Sequence, residues 1–201
     1  MKIRVFAIAA FVGLEMILKT TSLCAQQEHP SRFSHKGIKG AISSGSFDMI
    51  SERQLKEGDG GALSLGYGFT DRFTFWLTLL GSEHSPVVDD ERATKFGGLE
   101  LNLQHKFKTL SRLQPYGKVG FGVYGLEEQN SNVTLLGAGL NLAVGVDFFF
   151  SRHFGVGAEL MFKKLDYVSQ RIETAAGEVI SDLQPHLNGD TAGFVLTFTV
   201  Q

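Results

Sequence analysis

Between Leu135 and Leu165 the chain alternates in hydropathy with a period of two. Leu136, Ala138, Leu140, Leu142, Val144, Val146 and Phe148 are apolar, while the interleaved Gly137, Gly139, Asn141, Ala143, Gly145 and Asp147 are mostly small or polar. Side chains of a strand point alternately to opposite faces, so the segment is a strand with one greasy face. After "SRH" (151–153) the period resumes: Phe154, Val156, Ala158, Leu160 and Phe162 share a face opposite Gly155, Gly157, Glu159, Met161 and Lys163.

The same dyad recurs along the chain. Leu63, Leu65, Tyr67 and Phe69 form one apolar set, and Phe73, Phe75, Leu77 and Leu79 another. Further sets are Leu99, Leu101, Leu103 and Phe107; Val119, Phe121 and Val123; and Phe194, Leu196, Phe198 and Val200. A weaker strand covers Lys36 to Phe47, which makes eight strands, and no helical period follows residue 25. The connections alternate in length: "TDR" (70–72), "KTLSRLQ" (108–114) and "SRH" are short or moderate. Those around 48–60, 81–94, 127–132 and 169–190 are longer and polar. All short turns then lie at one end of an antiparallel sheet and all long loops at the other.

At the N-terminus, Lys2 and Arg4 precede an apolar block, Val5 to Leu14, and a polar approach to "TSLCAQQ". This reads as a secretory signal peptide over 1–25. Acylation of Cys24, the single cysteine, is the competing reading, with Leu23 in a place that normally holds a small residue. A short periplasmic segment, 26–35, and a barrel domain, 36–201, would follow. No run reaches the roughly 18 apolar residues a spanning helix needs. A net charge of −2 provides no basic field for nucleic acid.

Alternation alone leaves open which face is inside. A soluble periplasmic barrel binding an apolar ligand would turn the greasy face inward. The composition of the other face favours the opposite. It is rich in glycine (Gly66, Gly68, Gly120, Gly122, Gly137, Gly139, Gly145, Gly155, Gly157) rather than in the charges of a water-facing strand. Small residues suit a narrow lumen. Aromatic residues crowd the short-turn end (Tyr67, Phe69, Phe73, Phe107, Phe148, Phe150, Phe154), as an interfacial girdle would. The expected fold is all-β: an eight-stranded antiparallel up-and-down transmembrane β-barrel.

On this pattern the whole mature chain resembles the OmpA/OmpX-type small barrels of the outer-membrane protein β-barrel group. The most specific piece is "TAGFVLTF", where Thr191, Gly193, Leu196 and Phe198 occupy the marked places of the group's C-terminal assembly signal. Many such chains end on the aromatic, whereas this one continues through Thr199, Val200 and Gln201. The resemblance implies the outer membrane of a Gram-negative bacterium, contact with outer-membrane lipid, insertion by the barrel assembly machinery, and an extracellular ligand of unknown identity met by the loops.

Gly120, Gly122 and Gly125 match G-x-G-x-x-G, but no helix follows them, so no dinucleotide cofactor is expected. The six histidines lack ligand spacing, so no metal is expected. Ser82 and His84 share a lumen-facing parity around Glu83, which keeps open a lipid-modifying enzyme of the deacylase or acyltransferase type. More informative are the charges of the inner parity: Lys39, Glu100, Lys106, Lys118, Asp147, Glu159 and Lys163. In so narrow a barrel they must pair or stay hydrated. Counting from the turns pairs Asp147 with Lys118, with Lys106 as second candidate. The expected role is structural, or recognition through the outside loops, around a side-chain-filled lumen.

Overall fold

The structure, a computed structural model, describes residues 34–50, 57–85, 94–128, 132–174 and 177–201. The expected signal peptide and most of the 26–35 segment lie outside the described residues. The described residues form nine strands: β1 Gly37–Ile50, β2 Gly58–Gly68, β3 Phe73–His84, β4 Thr94–Lys106, β5 Leu113–Glu128, β6 Val133–Phe149, β7 Phe154–Thr174, β8 Gly177–Asn188 and β9 Asp190–Val200. Consecutive strands from β1 to β8 pair antiparallel, and β1 and β7 each also pair with β9, so the sheet closes on itself. Along β7, Phe154 to Lys163 pair with β9, and Asp166 to Thr174 pair with β8. The strands β8 and β9 are thus two parts of one stave, and the closed barrel has eight staves.

The apolar parity faces outward. Leu65, Leu77, Leu101, Phe121 and Leu140 stand side by side on five successive strands, all exposed. Leu63 is 61% exposed, Leu140 63% and Phe121 60%, whereas Glu100, Asn102 and Lys163 on the inner parity are 4%, 3% and 2% exposed. The soluble-barrel alternative therefore fails, because its greasy face would be inside. Towards the long-loop end the band stops at a row of outward glycines, Gly81, Gly97 and Gly125, paired side by side. A Cβ on any of them meets nothing closer than 3.5 Å. Above them stand Glu83, Lys95 and Glu127. Inward glycines differ. A Cβ at Gly66 would lie 2.6 Å from the Trp76 ring, and one at Gly145 would lie 2.5 Å from the Tyr116 ring.

Two features depart from the sequence reading. The stretch 169–190, expected as a loop, is mostly paired: β7 runs to Thr174 and β8 folds back on it as a hairpin. β8 is exposed at most positions, so it has no buried face to impose alternation on its sequence. The second departure is inside the barrel. The half of the lumen nearer the long loops is packed with apolar residues: Met49, Leu80, Phe96, Tyr124, Leu126, Leu135, Leu165 and Tyr167 form one buried cluster. Alternation breaks down at these strand ends, where Leu79–Leu80 and Leu135–Leu136 place apolar residues on both faces.

The outward parity makes a direct prediction. Single cysteines at Leu142 and Val144, labelled with a fluorophore, should be quenched by lipid-phase quenchers more strongly than one at Asn141. Val144→Arg should cost about 2–4 kcal/mol if near the bilayer midplane. The reverse order of quenching would invert the barrel.

Candidate functional site: the lumen network

Inner-parity side chains from six strands converge in the lumen. Near the short-turn end, the Lys106 ammonium lies 3.0 Å from Asp147 Oδ2 and donates to Gln114 Oε1 at 2.9 Å. Gln114 in turn donates to the carbonyls of Thr109 (3.3 Å) and Ser111 (3.0 Å), tying the network to the β4–β5 turn. Lys106 also sits 4.4 Å from the centre of the Phe149 ring. Lys39 donates to Thr74 Oγ1 at 3.2 Å and has no carboxylate partner among the described residues. Trp76 Nε1 donates to Gln104 Oε1 at 2.9 Å.

Deeper in the barrel, Lys118 pairs with Glu159 at 2.5 Å, and the Tyr116 hydroxyl donates to the same carboxylate oxygen at 2.8 Å. Lys163 pairs with Glu100. The Tyr124 hydroxyl donates to Glu100 Oε1 and Asn102 Nδ2 to Glu100 Oε2, each at 3.0 Å. Asn141 Nδ2 extends the chain to Asn102 Oδ1 at 3.3 Å. A cavity of about 40 Å³ lies between these groups and the small side chains Ser43, Ser64 and Thr78. That is room for no more than a few waters.

The pairing of Asp147 with Lys118 is corrected to Asp147 with Lys106 and Lys118 with Glu159. The reason is register. Asp147 stands opposite Gln114, and Lys118 opposite Ala143, four residues further along the strands. At about 3.3 Å per residue this separates them by roughly 13 Å along the strand. Counting from turn ends assumed that the turns were level. Glu159, by contrast, stands across from Gly145, which itself faces Tyr116. The sequence reading also left out Tyr116, Tyr124, Gln114, Asn102 and Asn141 as partners. Inner parity was the signal that could have named them.

The last strand splits its residues between the two faces. Thr191 is buried, with its hydroxyl donating to the Gly189 carbonyl at 3.2 Å. A Cβ on Gly193 would lie 3.0 Å from the Phe47 ring. Leu196 and Phe198 face outward, and the Phe198 ring stacks 6.0 Å from Phe154. Beyond them, Gln201 forms a clasp. Its amide donates to the His153 carbonyl (2.9 Å) and its side-chain Nε2 to the Arg152 carbonyl (3.0 Å). Its Oε1 meets His35 Nδ1 at 2.8 Å. That orientation places the proton on Nδ1 and leaves the buried Nε2 without a hydrogen-bond partner among the described residues. Burial and the nearby Lys106 ammonium lower the His35 pKa from 6.5 to about 3. Asp71 accepts from the His35 amide at 2.9 Å and the Ser34 hydroxyl at 3.2 Å. Partial burial raises its pKa, but these bonds together with the nearby Lys36 charge outweigh burial and lower it overall.

Ser82 and His84 also come together, Oγ to Nε2 at 2.9 Å, both buried. Among the described residues no cluster of His, Cys, Asp or Glu has the makings of a metal site.

A family model described as outer membrane protein beta-barrel domain matches residues 16–198. No curated protein sequence matches the chain. Among solved structures, Neisserial surface protein A superposes with a TM-score of 0.58 at 14% identity, covering 82% of this chain and 97% of that one. OprG from Pseudomonas aeruginosa gives 0.55 at 16% identity, covering 85% and 99%. At such identities the likeness is one of fold.

Two measurements test the network. In a double-mutant cycle on unfolding in lipid, Asp147→Asn and Lys106→Met should couple strongly, while Asp147→Asn and Lys118→Met should be additive. Breaking one dry pair should cost about 3–5 kcal/mol. The clasp carries a pH signature. An unfolded chain takes up a proton at His35 near pH 6.5, whereas the folded one resists it until about pH 3. Stability from this residue is present above pH 6.5 and is lost as pH falls towards 3. His35→Gln should flatten the stability-against-pH curve in that window; an unchanged slope would count against a neutral His35.

Proposed function

This chain belongs to the outer membrane protein beta-barrel domain family, and on that premise we propose a non-conducting barrel that acts through its outer loops, structurally or in recognition. It is an integral protein of the Gram-negative outer membrane, with short turns in the periplasm and longer connections outside. The observation that carries the reading is the occluded lumen. Ion pairs and hydrogen bonds fill its periplasmic half and middle, and the apolar cluster seals its outer half. An eight-stranded barrel has an interior that side chains can fill. The β7–β8 hairpin continues past the end of β1 pairing at Asp190 and exposes Val179 and Ile180. Loops that outrun the barrel are where an extracellular ligand would be met. Insertion through the barrel assembly machinery, reading Thr191, Gly193, Leu196 and Phe198, belongs to the same reading.

A lipid-modifying enzyme is the second reading, favoured by the Ser82–His84 hydrogen bond alone. There the serine would attack an acyl-ester carbonyl as the imidazole takes its proton, and the imidazolium would return that proton to the departing alcohol as the ester bond breaks. Fluorophosphonate labelling of the folded protein, lost in Ser82→Ala, would support it; an unlabelled Ser82 would remove it.

The purified monomer in planar bilayers should show no steady porin-sized conductance. Such a conductance would overturn the non-conducting reading. Joining Ile172 to Val179 by a short turn should leave an SDS-resistant barrel, since the pairing of β7 with β6 ends at Ile172 and its pairing with β9 at Lys163 and Thr191.

A further inference from the structure

We infer that the periplasmic rim is a collar that selects anionic phospholipid headgroups of the inner leaflet. The three periplasmic turns repeat one arrangement: basic side chains beside lipid-facing aromatics. Arg72 lies between Phe69 and Phe73, Lys108 and Arg112 follow Phe107, and Arg152 lies between Phe150 and Phe154. Lys36 adds a fifth basic group, two residues before Ile38, which is 74% exposed. All five are exposed, and none forms an ion pair with another described residue. The single described carboxylate of the periplasmic turns, Asp71, accepts from the His35 amide and the Ser34 hydroxyl and feels the charge of Lys36.

The aromatic rings set the depth of these charges. The Phe69 and Phe73 rings stack at 5.9 Å and the Phe150 and Phe154 rings at 6.3 Å, so these two turns are anchored on both sides. Girdles of aromatic residues flank the apolar band of such barrels at both interfaces. Arg72, Lys108 and Arg152 lie one to three residues from such a ring, and their flexible apolar stems reach the phosphate layer. The opposite end has the opposite balance: Asp59, Glu83, Glu127 and Asp166 are exposed there with Lys95 and Lys164. The attraction is therefore a property of one rim. Both zwitterionic and anionic lipids carry a phosphate, but the ammonium of a zwitterionic headgroup offsets it. A net-anionic headgroup such as phosphatidylglycerol is the one the collar selects.

The test uses folded protein in phosphatidylcholine bilayers with trace spin-labelled phosphatidylglycerol or spin-labelled phosphatidylcholine. The motionally restricted fraction reports relative association at the barrel. At low salt, phosphatidylglycerol should be preferred about five-fold for a headgroup engaged by one basic side chain. The preference should shrink towards unity in 1 M salt, where the screening length is about 3 Å. The double variant Arg72→Gln, Arg152→Gln should lose much of it, while Lys95→Gln, Lys164→Gln at the outer end should keep it. Equal association of the two lipids with the wild type, or equal losses in both double variants, would overturn the collar. If the periplasmic variant fails to reach its SDS-resistant form, the wild-type preference and its salt dependence still decide. Conductance is indifferent to this result, so the collar and the non-conducting reading fail separately.

Discussion

Every peptide group of a lipid-embedded strand must find a partner within the protein, because hydrocarbon offers none. For this chain that requirement reduces to one seam, the pairing of β1 with β9 from Gly40–Val200 to Ile50–Asp190. Without it, two strand edges would stand open in the membrane. With it, the sheet has an inside and an outside, and each residue's parity becomes a choice between lipid and lumen. The apolar band, the aromatic girdle and the inward glycines follow from that choice. The Gln201 clasp lies beside the seam and joins the segment before β1 to the β6–β7 turn.

Closure creates the second constraint. An eight-stave lumen is too narrow to keep charges well hydrated, and an unpaired ion in a dry interior is costly. The chain meets this with reciprocal groups. Each of the three inward carboxylates, Glu100, Asp147 and Glu159, has a lysine. Tyrosine and asparagine side chains donate to further lone pairs of Glu100 and Glu159, and Gln114 accepts from Lys106. Lys39 stands outside this matching and rests on Thr74. The apolar cluster above the network completes an interior with space for no more than a few waters.

The surfaces of the barrel differ at its two ends. The periplasmic turns are short and basic, with aromatic residues close by. The outer end is acidic and carries a hairpin held largely by main-chain pairing, with one ion pair between Arg171 and Glu178 at 3.9 Å. Such exposed pairs contribute little, so the hairpin depends on its continuity with β7 in the wall.

Period-two alternation determined the barrel class and put Asp147, Lys106, Lys118, Glu100, Glu159 and Lys163 on one shared parity, because lipid on one side imposes its hydropathy residue by residue; the glycine-rich composition of that parity is what marked it as the inner one. The same logic was silent where no such contrast exists. β8 is wet on most of its surface, and the apolar cluster places greasy residues on both faces of the strand ends, so neither left a periodic trace. Which lysine meets which carboxylate was likewise undecided by the sequence. Parity states that two side chains share the lumen, but only the inter-strand register sets their relative height, and that register comes from how all the strands close together.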